Sequence, residues 1–296
     1  MQDATLRQSV QSRLVAAYIA CAFIWGTTWY AIRVCIAPGA FPTLTALALR
    51  FGIAAIVLVP LALRMRPWPT GRAWAYLVLA GVLDAAAYLL VYLGEERVSG
   101  GIAAVVYGTQ PLILAILLKV VRIEALTVRH LAGAIISLGG VALLFLDRLD
   151  VSAQQAAGVV LVLASVVLST TYSVIMKRHS GGVHGLVSTT VFLTVTAIVL
   201  GVVALVDGGG IPWPPPVVPS LAIAYLAIIG SVVAFLVYFW LLGKTSLLVA
   251  STLVFVFPLV ALATDALYEH EIALGVRAYV GVAVTLAGLA VSLRRG

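Results

Sequence analysis

Ten stretches of the chain are apolar on every face and about as long as a bilayer is thick. Bounded by charge, Pro or Gly, they cover residues 14–34, 43–63, 72–93, 98–118, 128–146, 156–176, 183–206, 219–242, 247–267 and 274–293. A helix crosses the hydrocarbon core with about 20 residues. Spanning strands would be about 9–11 residues long with alternating polarity, which these runs lack. The pattern predicts an all-α membrane protein of ten transmembrane helices joined by short connections. The longest connection, residues 207–219, is rich in Gly and Pro and reads as a stiff, extended surface loop. The first run follows a short polar leader holding Arg7 and Arg13; at about 20 residues it is read as a retained span. Trp68, Trp74 and Trp213 fall near run ends, where aromatic belts lie.

Composition excludes a soluble fold. Of 296 residues, 63% are apolar and 10% charged, against roughly 45–50% and about 25% in soluble domains. The net charge of +7 reflects topology rather than a nucleic-acid partner. With the N-terminus in the cytoplasm, only Arg33, Arg97, Arg148 and Arg277 fall outside, Arg50 lies within the second run, and every other Lys and Arg is inside. Both termini are therefore predicted cytoplasmic. Cys21 and Cys35 share the first run, about 21 Å apart along a helix axis, too far to bridge. The four histidines lie in or beside connections, and the chain holds no HExxH, G-x-S-x-G or P-loop pattern. No metal site, cofactor or ATP-driven step is expected.

The two halves match when residues 108–111 (GTQP) are set over 255–258 (FVFP), an offset of 147. Arg97 then meets Lys244, Ser99 meets Ser246 and Glu124 meets Glu271; one residue of slip later, Gly133 and Gly140 meet Gly281 and Gly288. Each half holds five runs, an odd number, so the second enters the membrane from the opposite side. The expectation is two inverted five-helix repeats, residues 1–146 and 156–296, with the boundary in the loop 147–155. Transporters built this way bind substrate near the midplane, between the repeats.

Trp25-Gly26-Thr27-Thr28 followed by Arg33, then Arg50-Phe51, resemble the helix-one and helix-two signatures of the EamA-type drug/metabolite transporters. The stretch from Gln110-Pro111 through Glu124, Leu126-Thr127, Gly133 and Gly139-Gly140-Val141 is similar too, echoed by Pro258, Glu271, Gly281 and Gly288. Ser169 and Tyr172 depart from it, standing where a Trp would fit. The resemblance implies a multi-pass transporter of the cell inner membrane, with bilayer and a small metabolite as partners and a monomer or a dimer as the assembly. Exporters of aromatic or other apolar amino acids are the best analogy. A proton-coupled exporter of drugs or other metabolites is the alternative, and an intramembrane lipid-modifying enzyme the rival class.

Within the runs two charges stand out. Arg50 sits about 10 Å and Asp84 about 12 Å below the outer boundary, on consecutive helices, which predicts an ion pair. As a structural pair it would tie helices two and three; as a functional one it would engage a carboxylate, an ammonium or a proton. Should transport be proton-coupled, Asp84 is the intramembrane candidate; a gradient-driven facilitator is equally compatible. Trp25, Tyr88, Tyr92, Tyr107 and Gln110 are the expected substrate-binding residues, lying on helices that the resemblance brings around a central cavity. Pro111 and Pro258 fall near mid-membrane, where each frees the carbonyl of residue i−4, and are read as hinge or cavity lining. Gly133-x3-Ser137 and Gly281-x3-Thr285 allow close helix packing within the chain, or a dimer contact.

Overall fold

The computed structural model describes residues 2–98, 100–121, 127–145, 153–268 and 276–293. Ser99, Glu124, Leu126, Arg148, Glu271 and most of the loop 147–155 lie outside the described residues. The first half forms α1 (Gln2–Cys35), α2 (Thr43–Ala62), α3 (Arg72–Glu95), α4 (Gly100–Tyr107), α5 (Gln110–Val121) and α6 (Val128–Phe145). The second forms α7 (Ala153–His179), α8 (Gly185–Asp207), α9 (Val217–Ala227), α10 (Ala234–Lys244), α11 (Leu247–Ser251), α12 (Phe257–Tyr268) and α13 (Val276–Leu293). A π-helical turn, Ile228–Val233, joins α9 to α10, and a 3-10 turn, Thr252–Phe255, joins α11 towards α12.

Each apolar run coincides with helix. Among the described residues, six helices are long and apolar enough to cross a membrane: α1, α2, α3, α7, α8 and the continuous α9–α10 unit. Shorter apolar helices cover the remaining four runs. Polarity is distributed as a lipid solvent demands. Ile56, Ile116, Ile198 and Leu221 are exposed on the outer surface, whereas Ser165, Thr189, Thr196 and Ser231 are buried. Hydroxyls go inside because hydrocarbon cannot hydrogen-bond them.

The fourth and ninth runs are not single kinked helices. α4 stops at Tyr107 and α5 restarts at Gln110, with a turn closed by Thr109 N to Val106 O at 3.0 Å. In the matching place α11 tightens into the 3-10 turn, and Val256 N bonds Leu253 O at 2.9 Å before α12 begins. Pro111 and Pro258 are each the second residue of a new helix. Proline is tolerated there because the first-turn amides have no intrahelical acceptor anyway. The prolines therefore start helices rather than bend them.

Packing follows the small residues. α2 lies along α8, α3 between α7 and α8, α1 against α9, α10 and α12, and α6 along α13. The α6–α13 contact is backbone on backbone. A Cβ on Gly140 would come within 2.4 Å of Thr285 N, and one on Gly288 within 2.4 Å of Ser137 N. Ser137 Oγ donates to Thr285 O at 3.1 Å across the same seam. The small-residue pattern thus serves an intramolecular contact.

Gly140→Leu is expected to destabilise the protein by about 1–3 kcal/mol through overpacking. The neighbouring Gly139→Leu, with nothing within 4 Å of its Cβ position, is expected to leave the midpoint unchanged. Thermal unfolding of both variants in nanodiscs checks this.

Candidate functional site

A cavity of about 90 Å³ lies where α1, α2, α3, α7 and α10 meet the broken ends of α4, α5, α11 and α12. Water needs about 10–15 Å³ of such space per molecule, so the cavity has room for several waters or a small solute's polar end. Seven of its nineteen lining residues are aromatic. Trp25 packs edge-on against Phe235, Tyr238 and Phe257 at centroid distances of 5.6, 5.0 and 5.7 Å. Trp29 meets Tyr107 in the same manner at 5.7 Å. The helix breaks supply matched wall positions, with Tyr107 and Gln110 on one side and Val254 and Phe257 on the other.

Arg50 reaches this cavity from α2 and is 1% exposed. Nε donates to Ser231 Oγ at 3.0 Å and one terminal nitrogen to Gly230 O at 3.3 Å. Both acceptors belong to the π-helical turn, a distortion that often marks functional positions. Terminal nitrogens also donate to Tyr92 Oη and Tyr88 Oη, each at 3.4 Å. The guanidinium carbon stands 4.8 Å from the Tyr88 ring centroid and 5.1 Å from that of Phe51, within cation–π range. All four acceptors are neutral. Each tyrosine hydroxyl that accepts from Arg50 keeps its own proton to donate elsewhere.

Asp84, on α3, is 0% exposed. Thr196 Oγ1 of α8 donates to Oδ2 at 2.9 Å, while Oδ1 makes no hydrogen bond. The expected ion pair with Arg50 is therefore absent among the described residues. The arginine is drawn instead one to two turns along α3, to Tyr88 and Tyr92, and across to the π turn. The two charges face one cavity without touching. The indole N–H groups of Trp25 and Trp29 are likewise buried without an acceptor, so the wall offers unmatched donors as well as an unmatched acceptor.

Of the expected site residues, Trp25, Arg50, Asp84, Tyr88, Tyr107 and Gln110 line this cavity. Tyr92, 0% exposed, does not; it stands behind Arg50 as a support. Pro111 lines a separate small crevice with His130 and Ser251, and Pro258 is buried beside the wall residue Phe257. Sequence reading missed Ser231, Gly230, Thr196 and Tyr238. Small polar residues in apolar runs were the available signal for the first three. It also missed Glu95, because the third run was ended at residue 93, whereas α3 continues to Glu95 and both carboxylate oxygens are buried. Cys21 and Cys35 are separate, buried thiols.

The model of the EamA-like transporter family matches the chain twice, over residues 13–146 and 156–294. This chain belongs to the EamA-like transporter family. It is 29% identical over 283 residues to an uncharacterized inner membrane transporter, YedA, of Escherichia coli (strain K12), covering 92% of this chain and 90% of that one. Protein PagO of Salmonella typhimurium is 25% identical, covering 88% of this chain and 89% of its own length. Protein PecM of Dickeya dadantii is 26% identical, with 86% and 84% covered. A solved structure with 20% identity aligns at a TM-score of 0.77 over 95% of this chain and 97% of its own, a likeness of fold. The chain is a multi-pass inner-membrane transporter of small molecules.

Because Arg50 bonds Ser231 and not Asp84, Arg50→Ala and Ser231→Ala are expected to be non-additive in thermal unfolding, with a coupling of about 1 kcal/mol or more. Arg50→Ala and Asp84→Ala are expected to couple more weakly, because their charges do not touch and interact only at a distance. A double-mutant cycle in nanodiscs reads both.

Proposed function

We propose that this transporter exports small zwitterions with an apolar or aromatic side chain, aromatic amino acids first among them, by alternating access around the cavity. The observation that carries the reading is a fixed cation and a fixed carboxylate in one aromatic wall, unpaired with each other. A solute carboxylate would meet Arg50 and the Tyr88 hydroxyl. Its ammonium would meet Asp84 Oδ1, and its side chain would lie among Trp25, Trp29, Tyr107 and Phe257. Gln110 would orient the polar end.

The working architecture is ten spans in two inverted five-helix repeats, 1–146 and 156–296, with both termini cytoplasmic. Three features support it. The family model matches twice. The helix breaks precede Pro111 and Pro258, 147 residues apart. And two cross-links mirror each other: Arg50 of the first half bonds Ser231 of the second, while Asp84 accepts from Thr196. At the same offset Ser231 is the counterpart of Asp84, and with one residue of slip Thr196 is the counterpart of Arg50. The halves are thus joined at mid-depth by bonds that a rocking motion would exchange rather than simply break. Cysteine accessibility labelling of Arg97→Cys and Lys244→Cys in oriented vesicles is expected to place them on opposite faces. Labelling from one face alone would remove the inverted repeat.

Proton-coupled export is the second reading, favoured by the free Oδ1 of Asp84, where a proton and a substrate ammonium would compete. Counterflow in proteoliposomes with radiolabelled Phe and Trp tests both. Trp25→Ala and Tyr107→Ala are expected to lower flux roughly three- to tenfold, from lost aromatic contact, at unchanged yield. A flux response to a pH gradient that Asp84→Asn abolishes supports coupling through Asp84; a response unchanged in that variant removes coupling through that residue. Absence of flux for every aromatic amino acid would reject the substrate class.

A further inference from the structure

Arg50 has a second carboxylate neighbour that the cavity does not use. Glu95 is the last residue of α3, on the same helical face as Asp84, Tyr88 and Tyr92, at i+11, i+7 and i+3 from them. Tyr88 and Tyr92 hold the guanidinium between them. Measured along the helix axis from the middle of that turn, Asp84 therefore lies about 9 Å to one side and Glu95 about 7.5 Å to the other. Both carboxylate oxygens of Glu95 are buried and have no hydrogen-bond partner among the described residues. An ionised carboxylate in such a setting is costly unless a cation or a proton neutralises it. Arg50 on α2 and Arg33 on α1 are the cations whose fields reach it. Among the described residues, the other titratable groups near enough to interact with its charge are Cys35 of α1, Tyr92 of α3 itself and Tyr107 of α4. On the far side of this end of α3, α7 presents Gly158 and Val162 against Gly94, neither of which titrates.

We propose that Glu95 is a proton-binding site that controls the availability of Arg50 to the carboxylate of a transported solute. The proposal rests on the zwitterion reading of the cavity. Arg50 touches only neutral oxygens, so its charge is balanced at a distance by whichever carboxylates near it are ionised. An ionised Glu95 balances Arg50 from behind and repels a solute carboxylate arriving from the cavity. A proton on Glu95 removes that competition, and Arg50 then draws the solute anion at full strength. Asp84 acts with the opposite sign, since a proton there displaces a solute ammonium. The same helix face thus carries one carboxylate whose protonation favours the substrate and one whose protonation expels it. The two respond to pH at different depths along α3.

The test uses the full-length protein in lipid and three probes of one size: hydrocinnamate, which has only the carboxylate, phenethylamine, which has only the ammonium, and phenylalanine. Half-saturation of each is measured at equal pH on both sides, in mildly acidic and mildly alkaline buffer. Wild type is expected to take hydrocinnamate roughly tenfold more tightly in acid, the effect of one unit charge about 10 Å away at an effective dielectric near 20. Glu95→Gln is expected to hold the tighter value in both buffers, with the phenethylamine profile unchanged. Glu95→Asp, which keeps the charge on a shorter arm, is expected to retain the pH response in shifted form, and it carries the test should Glu95→Gln fail to fold. A probe-free readout stands beside these: in pH-difference infrared spectra, a carboxylic C=O band present on the Asp84→Asn background is expected to vanish when Glu95→Gln is added. If no probe binds, the zwitterion reading fails, and the infrared band alone then decides whether Glu95 takes up a proton. The proposal is overturned if Glu95→Gln leaves both the hydrocinnamate response and the infrared band as they were.

Discussion

Burying a guanidinium in an apolar interior is the constraint around which the centre of this protein is arranged. Arg50 cannot shed its charge, and a bare cation at such depth costs several kcal/mol. The chain answers with four neutral acceptors from two other helices. Two are tyrosine hydroxyls one turn apart on α3. The other two require α9–α10 to loosen into a π turn, which brings the Gly230 carbonyl and the Ser231 hydroxyl to the arginine. Because Ser231 and Gly230 belong to the second half and Arg50 to the first, satisfying one charge also fastens the two halves of the chain together.

A similar economy governs the broken helices. Irregular backbone inside a membrane protein is tolerated where protein surrounds it or where it borders a cavity. The breaks at 107–110 and 252–256 meet that condition, since Tyr107, Gln110, Leu253, Val254 and Phe257 all face the cavity. Placing a proline in the first turn of the following helix keeps the two segments from fusing, because its ring opposes a continuous helix through that point.

Helix positions were legible from the sequence because apolar length is a strong signal, and in lipid the demand for internal backbone bonding leaves little alternative to helix. The cavity was legible in part. Trp25, Arg50, Asp84, Tyr88, Tyr107 and Gln110 stand out as polar or aromatic residues in apolar runs, and all line it. What could not be read was partnership. Equal depth on neighbouring helices suggested that Arg50 and Asp84 meet, but depth says nothing about azimuth. Two of the acceptors that won the arginine came from a π turn, and although Ser231 stands out as a polar residue in an apolar run, the residue pattern of 228–233 does not reveal the turn itself. Tyr92 shares a helix face with Tyr88, yet it lies behind the guanidinium rather than in front of it. Glu95 was hidden by a boundary placed two residues early, a small error that removed a buried carboxylate from view.

The separation of Arg50 from Asp84 makes physical sense for a carrier. Had the two formed a direct buried pair, an arriving zwitterion would have to displace a charge–charge contact before its own charges could replace it. On the zwitterion reading, the direct contacts that a solute would displace from Arg50 are hydrogen bonds to neutral hydroxyls and a carbonyl, each worth on the order of 1–3 kcal/mol. Asp84 Oδ1 and the indole N–H groups of Trp25 and Trp29 have no protein partner to give up. On that reading, binding would be favourable without being deep, and release on the far side would need only that the tyrosine, threonine and π-turn contacts re-form. A site meant for retention would gain from pairing its charges with the ligand more strongly than this. A site meant for passage gains from having neutral contacts that can be exchanged and charges already held in place.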